Sequence, residues 1–257
     1  MKRAKKAGVA LSVSPLVFGG ALALGQGEAS AACAAPPPPL RFTGFDRGYS
    51  SPPQGISAPI NRDNPLMCAG GDVISGASSS SAWVAVTHGS NIAQIGWVKI
   101  NPAVNHNDIP YYFWADTAGG SLPVPQFIGN VPNYDKSTYD QNQVFLNPYD
   151  GKTDFIQRGN FVAARYEGWT PDSVEVGGEI HFDATQWPGE TDPSRHVNTG
   201  TVQKMYNNQW YTQSLLACGH SVPIGTGGCN VGSNGLSSDW AIGAGNGWFG
   251  IWDTRIP

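Results

Sequence analysis

The feature that most limits what this chain can fold into is negative. Beyond residue 31, no segment of a dozen residues or more holds a helical period. Short apolar or alternating runs recur instead, at 82–86, 92–100, 111–114, 161–166, 174–182, 202–206, 210–216 and 240–252. Turn residues separate them: His88-Gly89, Tyr149-Asp-Gly151, Trp187-Pro-Gly189 and Ser233-Asn-Gly235. Runs of this length bounded by such turns read as strands. Many short strands without helices predict an all-β protein, an antiparallel β-sandwich of two packed, twisted sheets forming a single domain. No fixed-period repeat is present.

The first residues follow different rules. Lys2, Arg3, Lys5 and Lys6 precede an apolar run over 7–24, then Ala29-Ser-Ala31. That is the layout of a secretory signal peptide with an A-x-A cleavage site, expected over 1–31. A membrane anchor is the competing reading, weakened by Pro15, Gly19 and Gly20. A lipoprotein is another, with Cys33 after small residues but Ser30 where a leucine is usual. Residues 32–70, with Pro36 to Pro39 and abundant Gly, Ser and Pro, read as an extended lead-in or short pro-segment. The sandwich is then expected over 71–257.

Charge narrows the function. Lys and Arg total 15, several of them in the leader, and the net charge is −4, so no basic patch recruits nucleic acid. Charged residues make up 13% of the chain, and Gly, Ser, Asn, Thr and aromatics fill the surface, as in many extracellular β proteins. The expectation is a secreted monomer acting on a protein or peptide, with no membrane attachment once the leader is gone. The four cysteines favour disulfides in an oxidising setting, and of three possible pairings Cys33–Cys68 and Cys218–Cys229 are preferred. Metal ligation finds no C-x-x-C or H-x-x-x-H spacing, and the five histidines are scattered, so no metal and no cofactor are expected.

Two stretches carry polar groups suited to chemistry. In Ile92-Ala-Gln94-Ile-Gly96-Trp97-Val98, alternation puts Gln94, Gly96 and Val98 on one face and Ile95 and Trp97 on the other. In the run 174–182, Glu175, Gly177, Glu179 and His181 share a face, unless Gly177-Gly178 forms a bulge. Glycine beside Gln94 leaves room for a ligand backbone. A glutamate in an apolar wall can act as general base, and an amide N–H can stabilise an oxyanion. The plainer alternative is an ordinary strand glutamine and two solvent-facing acids.

The segment Ser81-Ala-Trp-Val…Ile-Ala-Gln94-Ile-Gly96 resembles the part of eqolisin-type glutamic peptidases that carries their catalytic glutamine. Gln94-Ile-Gly-Trp97-Val, then Ile109-Pro-Tyr-Tyr-Phe-Trp114, then Val174-Glu-Val-Gly-Gly-Glu179-Ile also resemble the neprosin family in order and spacing. The resemblance spans roughly 71–252, through short motifs. It implies a secreted β-sandwich peptidase working in acid, and, from neprosins, cleavage next to proline. Eqolisins use a Gln/Glu dyad and neprosins two glutamates. Gly-Gly-Glu179-Ile matches the second neprosin glutamate; Glu175 is the match under the eqolisin pattern. The expected mechanism has Glu179 (or Glu175) take a proton from water while Gln94 holds the scissile carbonyl oxygen. Trp97, Tyr112 and Trp114 are the candidates for lining a substrate groove, with core packing as their alternative role.

Gln94 stands where neprosins have glutamate, and the cysteine-containing insertion that plant neprosins carry after the Tyr-Trp strand is missing. The first departure reads either as an eqolisin-like dyad or as a lost acid that leaves a binding module. A glycoside hydrolase using paired carboxylates and exposed tryptophans is the remaining alternative. No G-x-S-x-G elbow, P-loop or Ca²⁺-loop spacing is present.

Overall fold

The computed structural model describes residues 40–48, 52–65, 79–100, 109–117, 125–181, 196–212, 218–220, 240–245 and 248–253. The expected leader, Cys33, Cys68 and Cys229 lie outside them, and so do the two expected disulfides.

Among the described residues there are sixteen strands and no helix. They are β1 (Leu40–Gly48), β2 (Gly55–Asn61), β3 (Ser79–His88), β4 (Asn91–Ile100), β5 (Tyr111–Asp116), β6 (Gln126–Asn130), β7 (Tyr139–Leu146) and β8 (Thr153–Gln157). They continue as β9 (Asn160–Arg165), β10 (Ser173–His181), β11 (Val197–Asn198), β12 (Gln203–Tyr206), β13 (Gln209–Thr212), β14 (Cys218–His220), β15 (Trp240–Gly245) and β16 (Trp248–Asp253). A seven-stranded sheet runs β14-β1-β10-β3-β4-β5-β6, and a six-stranded sheet β13-β12-β2-β7-β8-β9. A three-stranded sheet, β11-β16-β15, completes the set. Every strand pairing is antiparallel.

The two large sheets pack face to face around an apolar core. Ala82, Val84 and Val86 of β3, Ala93, Ile95 and Trp97 of β4, and Val174 and Val176 of β10 meet Ile56, Ala58 and Ile60 of β2, Val144 of β7 and Phe155 of β8. Each set repeats every second residue, as a strand with one face inward requires. The fold is thus the antiparallel β-sandwich that the strand pattern predicts. The far face of the seven-stranded sheet carries a second cluster, formed by Trp83, Ala85, Ile92, Val98, Phe113 and Ala115.

The loose lead-in expected over 32–70 is corrected by β1 and β2. β1 pairs with β10 along nine residues, and β2 lies inside the six-stranded sheet between β12 and β7. Proline and serine in this stretch suggested loose chain, yet Pro59 sits within β2. Its carbonyl accepts the Gly200 amide at 2.8 Å, so its missing N–H faces the same side. On that side β12 pairs only with Gly55 to Ser57, so Pro59 removes no bond from the β12 ladder.

Candidate functional site

A two-residue loop, Gly89-Ser90, joins β3 to β4 and pairs His88 with Asn91. Gly89 has φ +59°, the left-handed conformation that primed hairpin turns demand and glycine adopts freely. The tight loop fixes the register: Gln94 faces Ala85, Gly96 faces Trp83 and Val98 faces Ser81. On the other side of β3, Ala85 faces Glu175, Trp83 faces Gly177 and Ser81 faces Glu179. The ladder of β10 runs without a shift through Gly177 and Gly178, against both β1 and β3. The bulge considered there does not form, and the alternation of Glu175, Gly177 and Glu179 holds.

Gln94, Glu175 and Glu179 therefore share one face, the one turned away from the sandwich core. All three are buried, at 6%, 3% and 5% exposure. Their positions on the face differ. Glu175, Ala85 and Gln94 form a single cross-strand row. At about 4.8 Å per strand spacing, the α-carbons of Glu175 and Gln94 stand about 10 Å apart, and that of Glu179, four residues along, roughly 16 Å from Gln94. Between Glu175 and Gln94 the row offers only the methyl of Ala85. The Gln94 Oε1 is buried and has no hydrogen-bond partner among the described residues. Glu179 is engaged elsewhere: its Oε2 accepts the indole N–H of Trp83 at 3.2 Å.

Trp83 is fully buried between two glycines, with Gly177 and Gly96 as its cross-strand partners. Gly96 answers to this packing and not to a ligand backbone. A Cβ there would lie 2.7 Å from Trp83 Cα and 2.8 Å from Trp83 Cβ, closer than real contacts allow.

The three aromatics expected to line a groove beside Gln94 are on the opposite face, and that expectation is corrected. Trp97 faces Tyr112, and Ile95 faces Trp114, all on the core side. The Trp97 indole donates to the Asn61 carbonyl at 3.1 Å. The Tyr112 hydroxyl donates to Asp140 Oδ2 at 2.6 Å. Arg62 grips the same carboxylate with two bonds, Nε to Oδ2 at 2.7 Å and Nη2 to Oδ1 at 3.0 Å. Burial, then the Asp140 carboxylate, pushes the Tyr112 phenol above its ordinary value and keeps it protonated. Trp114 packs on Phe155, ring centroids 5.0 Å apart. The aromatics on the Gln94 face are instead Trp83, Tyr111 and Phe113. The hairpin loop was the signal for Trp83, because it carries the parity of Gln94 onto β3; Tyr111 and Phe113 take theirs from the pairing of β4 with β5.

Among the described residues no group of three or more His, Cys, Asp or Glu converges as metal ligands would. The most exposed large apolar residues among the described ones are tyrosines, phenylalanines and Ile128, while Trp114, Trp169 and Trp210 are partly buried.

The fold has counterparts of known structure. Two structures of scytalido-glutamic peptidase, each holding a transition-state analogue, match with TM-scores of 0.51 and 0.52. Each alignment covers 83% of this chain and 98% of that chain, at 11% sequence identity. The likeness is one of fold. It supports the eqolisin-like part of the resemblance and leaves the neprosin part without support. No protein-family model and no curated protein matches the sequence.

Proposed function

We propose that the protein is a peptidase of the glutamic type, in which Glu175 and Gln94 act on a water molecule held between them. The observation that carries this reading is the shared row: a carboxylate and a carboxamide, both buried, on one face, with only a methyl group between. A water needs polar partners to be held in a buried place, and this row supplies one on each side. Glu175 takes a proton from the water, and the water oxygen attacks the scissile carbonyl. Gln94 Nε2 donates to the oxygen that becomes negative, and Oε1 accepts the second water hydrogen. Glu175 then returns its proton to the leaving amine.

This assigns the base to Glu175 ahead of Glu179. Glu179 holds the Trp83 indole, and Trp83 stands on the row between the two acids. Its role in this scheme is positioning. The resemblance to eqolisins, which pair glutamine with glutamate, supports a Gln/Glu pair, and the fold shared with scytalido-glutamic peptidase supports a peptidase. The substrate is a protein or peptide met outside the cell, in keeping with the expected leader, and cleavage beside proline is the finer specificity to look for.

The test is incubation of a diverse peptide mixture with the purified protein from acid to neutral pH, with products read by mass spectrometry. The reading requires peptide-bond cleavage that is lost in Gln94→Ala. A folded protein that cleaves nothing at any pH would overturn it and favour a binding module on the same sandwich.

A further inference from the structure

A second site lies at the opposite face of the seven-stranded sheet, where β5 and β6 stand across from β8 and β9. The two sheets part there into a cleft of about 500 Å³. Tyr112 and Trp114 line it on one side, Gln157 and Arg158 on the other, and Phe127 and Phe161 stand at its mouth. The two phenylalanines are 52% and 64% exposed, and neighbouring Ile128 is 40% exposed. Large apolar side chains gathered at the mouth of a cleft mark a binding surface.

The polar groups specify what binds. Asp140 already takes two bonds from Arg62 and one from Tyr112. Arg158 reaches the same carboxylate only at 3.4 Å, with its guanidinium 5.8 Å over the Tyr112 ring and its side chain about half exposed. Two guanidiniums thus share one carboxylate, and the outer one, Arg158, retains donors for a second anion. Beside it, Gln157 is 4% exposed. Its Nε2 is held by the Gly96 carbonyl at 3.3 Å and Asn142 Oδ1 at 2.8 Å. Its Oε1 is buried with no partner among the described residues, and the residue lines the cleft. The flanking strands are sheet edges: β6 pairs only with β5 and β9 only with β8 among the described strands. Such edges offer backbone groups to an added extended chain.

We propose that this cleft binds the C-terminal end of an extended peptide whose last residue is apolar. The terminal carboxylate meets Arg158, the last amide N–H meets Gln157 Oε1, and the last side chain sits between Phe127 and Phe161. The site is separate from the Gln94–Glu175 row, so its test does not depend on peptidase activity.

The experiment measures binding of a short N-terminally labelled peptide ending in phenylalanine, as free acid and as C-terminal amide, by fluorescence anisotropy. It is run at a pH where the peptide is recovered intact. The free acid should bind about tenfold more tightly, the ratio that one charge-assisted hydrogen bond supplies. Arg158→Asn should remove that preference. Asparagine suits this position because residue 158 has φ +54°, which asparagine tolerates well. Phe161→Ser, on β9, should weaken both forms alike and serves as the second readout should the turn variant fail to fold. Equal binding of acid and amide, absence of binding by both, or a preference that survives Arg158→Asn would each overturn the proposal.

Discussion

Gln94 of β4 and Glu175 of β10 lie on one cross-strand row, with Ala85 of β3 between them and all three side chains buried. Each residue belongs to a different strand, and the strand between them contributes the smallest side chain that still has a Cβ. The row therefore carries two hydrogen-bonding groups on one face, their α-carbons about 10 Å apart.

That relationship makes Ala85 a sensitive position. Ala85→Val adds two methyl groups where the water would sit, on a residue with no exposure. Valine suits a strand, so the fold should survive with a loss of about 1–3 kcal/mol from overpacking. Peptide cleavage should fall about a hundredfold or more, comparable to losing an oxyanion donor. The check is kcat/KM on one peptide beside thermal unfolding of the same sample. A variant that cleaves like wild type would show that the gap is not used.

The N-terminal strands give a prediction about trimming. If residues 32–66 were a pro-segment, removing them would leave the domain intact. The structure places β1 and β2 in the two large sheets, and Ile56 and Ile60 in the core at 0% and 1% exposure. A chain lacking 32–66 should not fold, which circular dichroism and thermal unfolding would reveal. Ile56→Ala alone should lower stability by about 2–5 kcal/mol. Cooperative unfolding of the trimmed chain at the wild-type temperature would refute the strand assignments.

Stability should also depend on Glu167. Both of its carboxylate oxygens are buried without a hydrogen-bond partner among the described residues. Burial pushes its pKa up to about 7, with Asp116 adding to the rise and Arg165 opposing it. The folded value lies above the ordinary 4.5, so the folded state binds the proton more tightly than the unfolded chain. Stability from this group is therefore full below about pH 4.5 and declines as the pH rises to about 7. The side chain as a whole is half-buried, so the effect is on the order of 1–2 kcal/mol. Glu167→Gln should flatten the dependence and raise the melting temperature at pH 8. Identical pH profiles for variant and wild type would contradict it.

How much of this could be read from the residues differs from element to element. The alternation in 92–98 and 174–179 was legible, because each run has one face turned to the core and period two is the direct consequence. The hairpin at Gly89-Ser90 was legible as a turn, and its register follows from its length. Pro59 hid β2, because the end of a neighbouring strand is a tertiary fact that composition does not carry. Trp97, Tyr112 and Trp114 misled because both faces of the seven-stranded sheet are apolar, so aromatic character does not say which face a side chain takes. The relative standing of Glu175 and Glu179 depends on the pairing of β10 with β3, strands that are far apart in the chain. Only that long-range register separates the acid beside Gln94 from the acid beside Trp83.

The most direct test compares two conservative variants, Glu175→Gln and Glu179→Gln, by kcat/KM on a single cleaved peptide. Loss of the general base in Glu175→Gln should lower the value by about 10²–10⁴-fold with the melting temperature near wild type. In Glu179→Gln the amide still accepts from the Trp83 indole through its oxygen, so cleavage should persist within about tenfold of wild type, as expected of a positioning residue. The reverse order, with Glu179→Gln inactive and Glu175→Gln active, would contradict the assignment of the base to the Gln94 row.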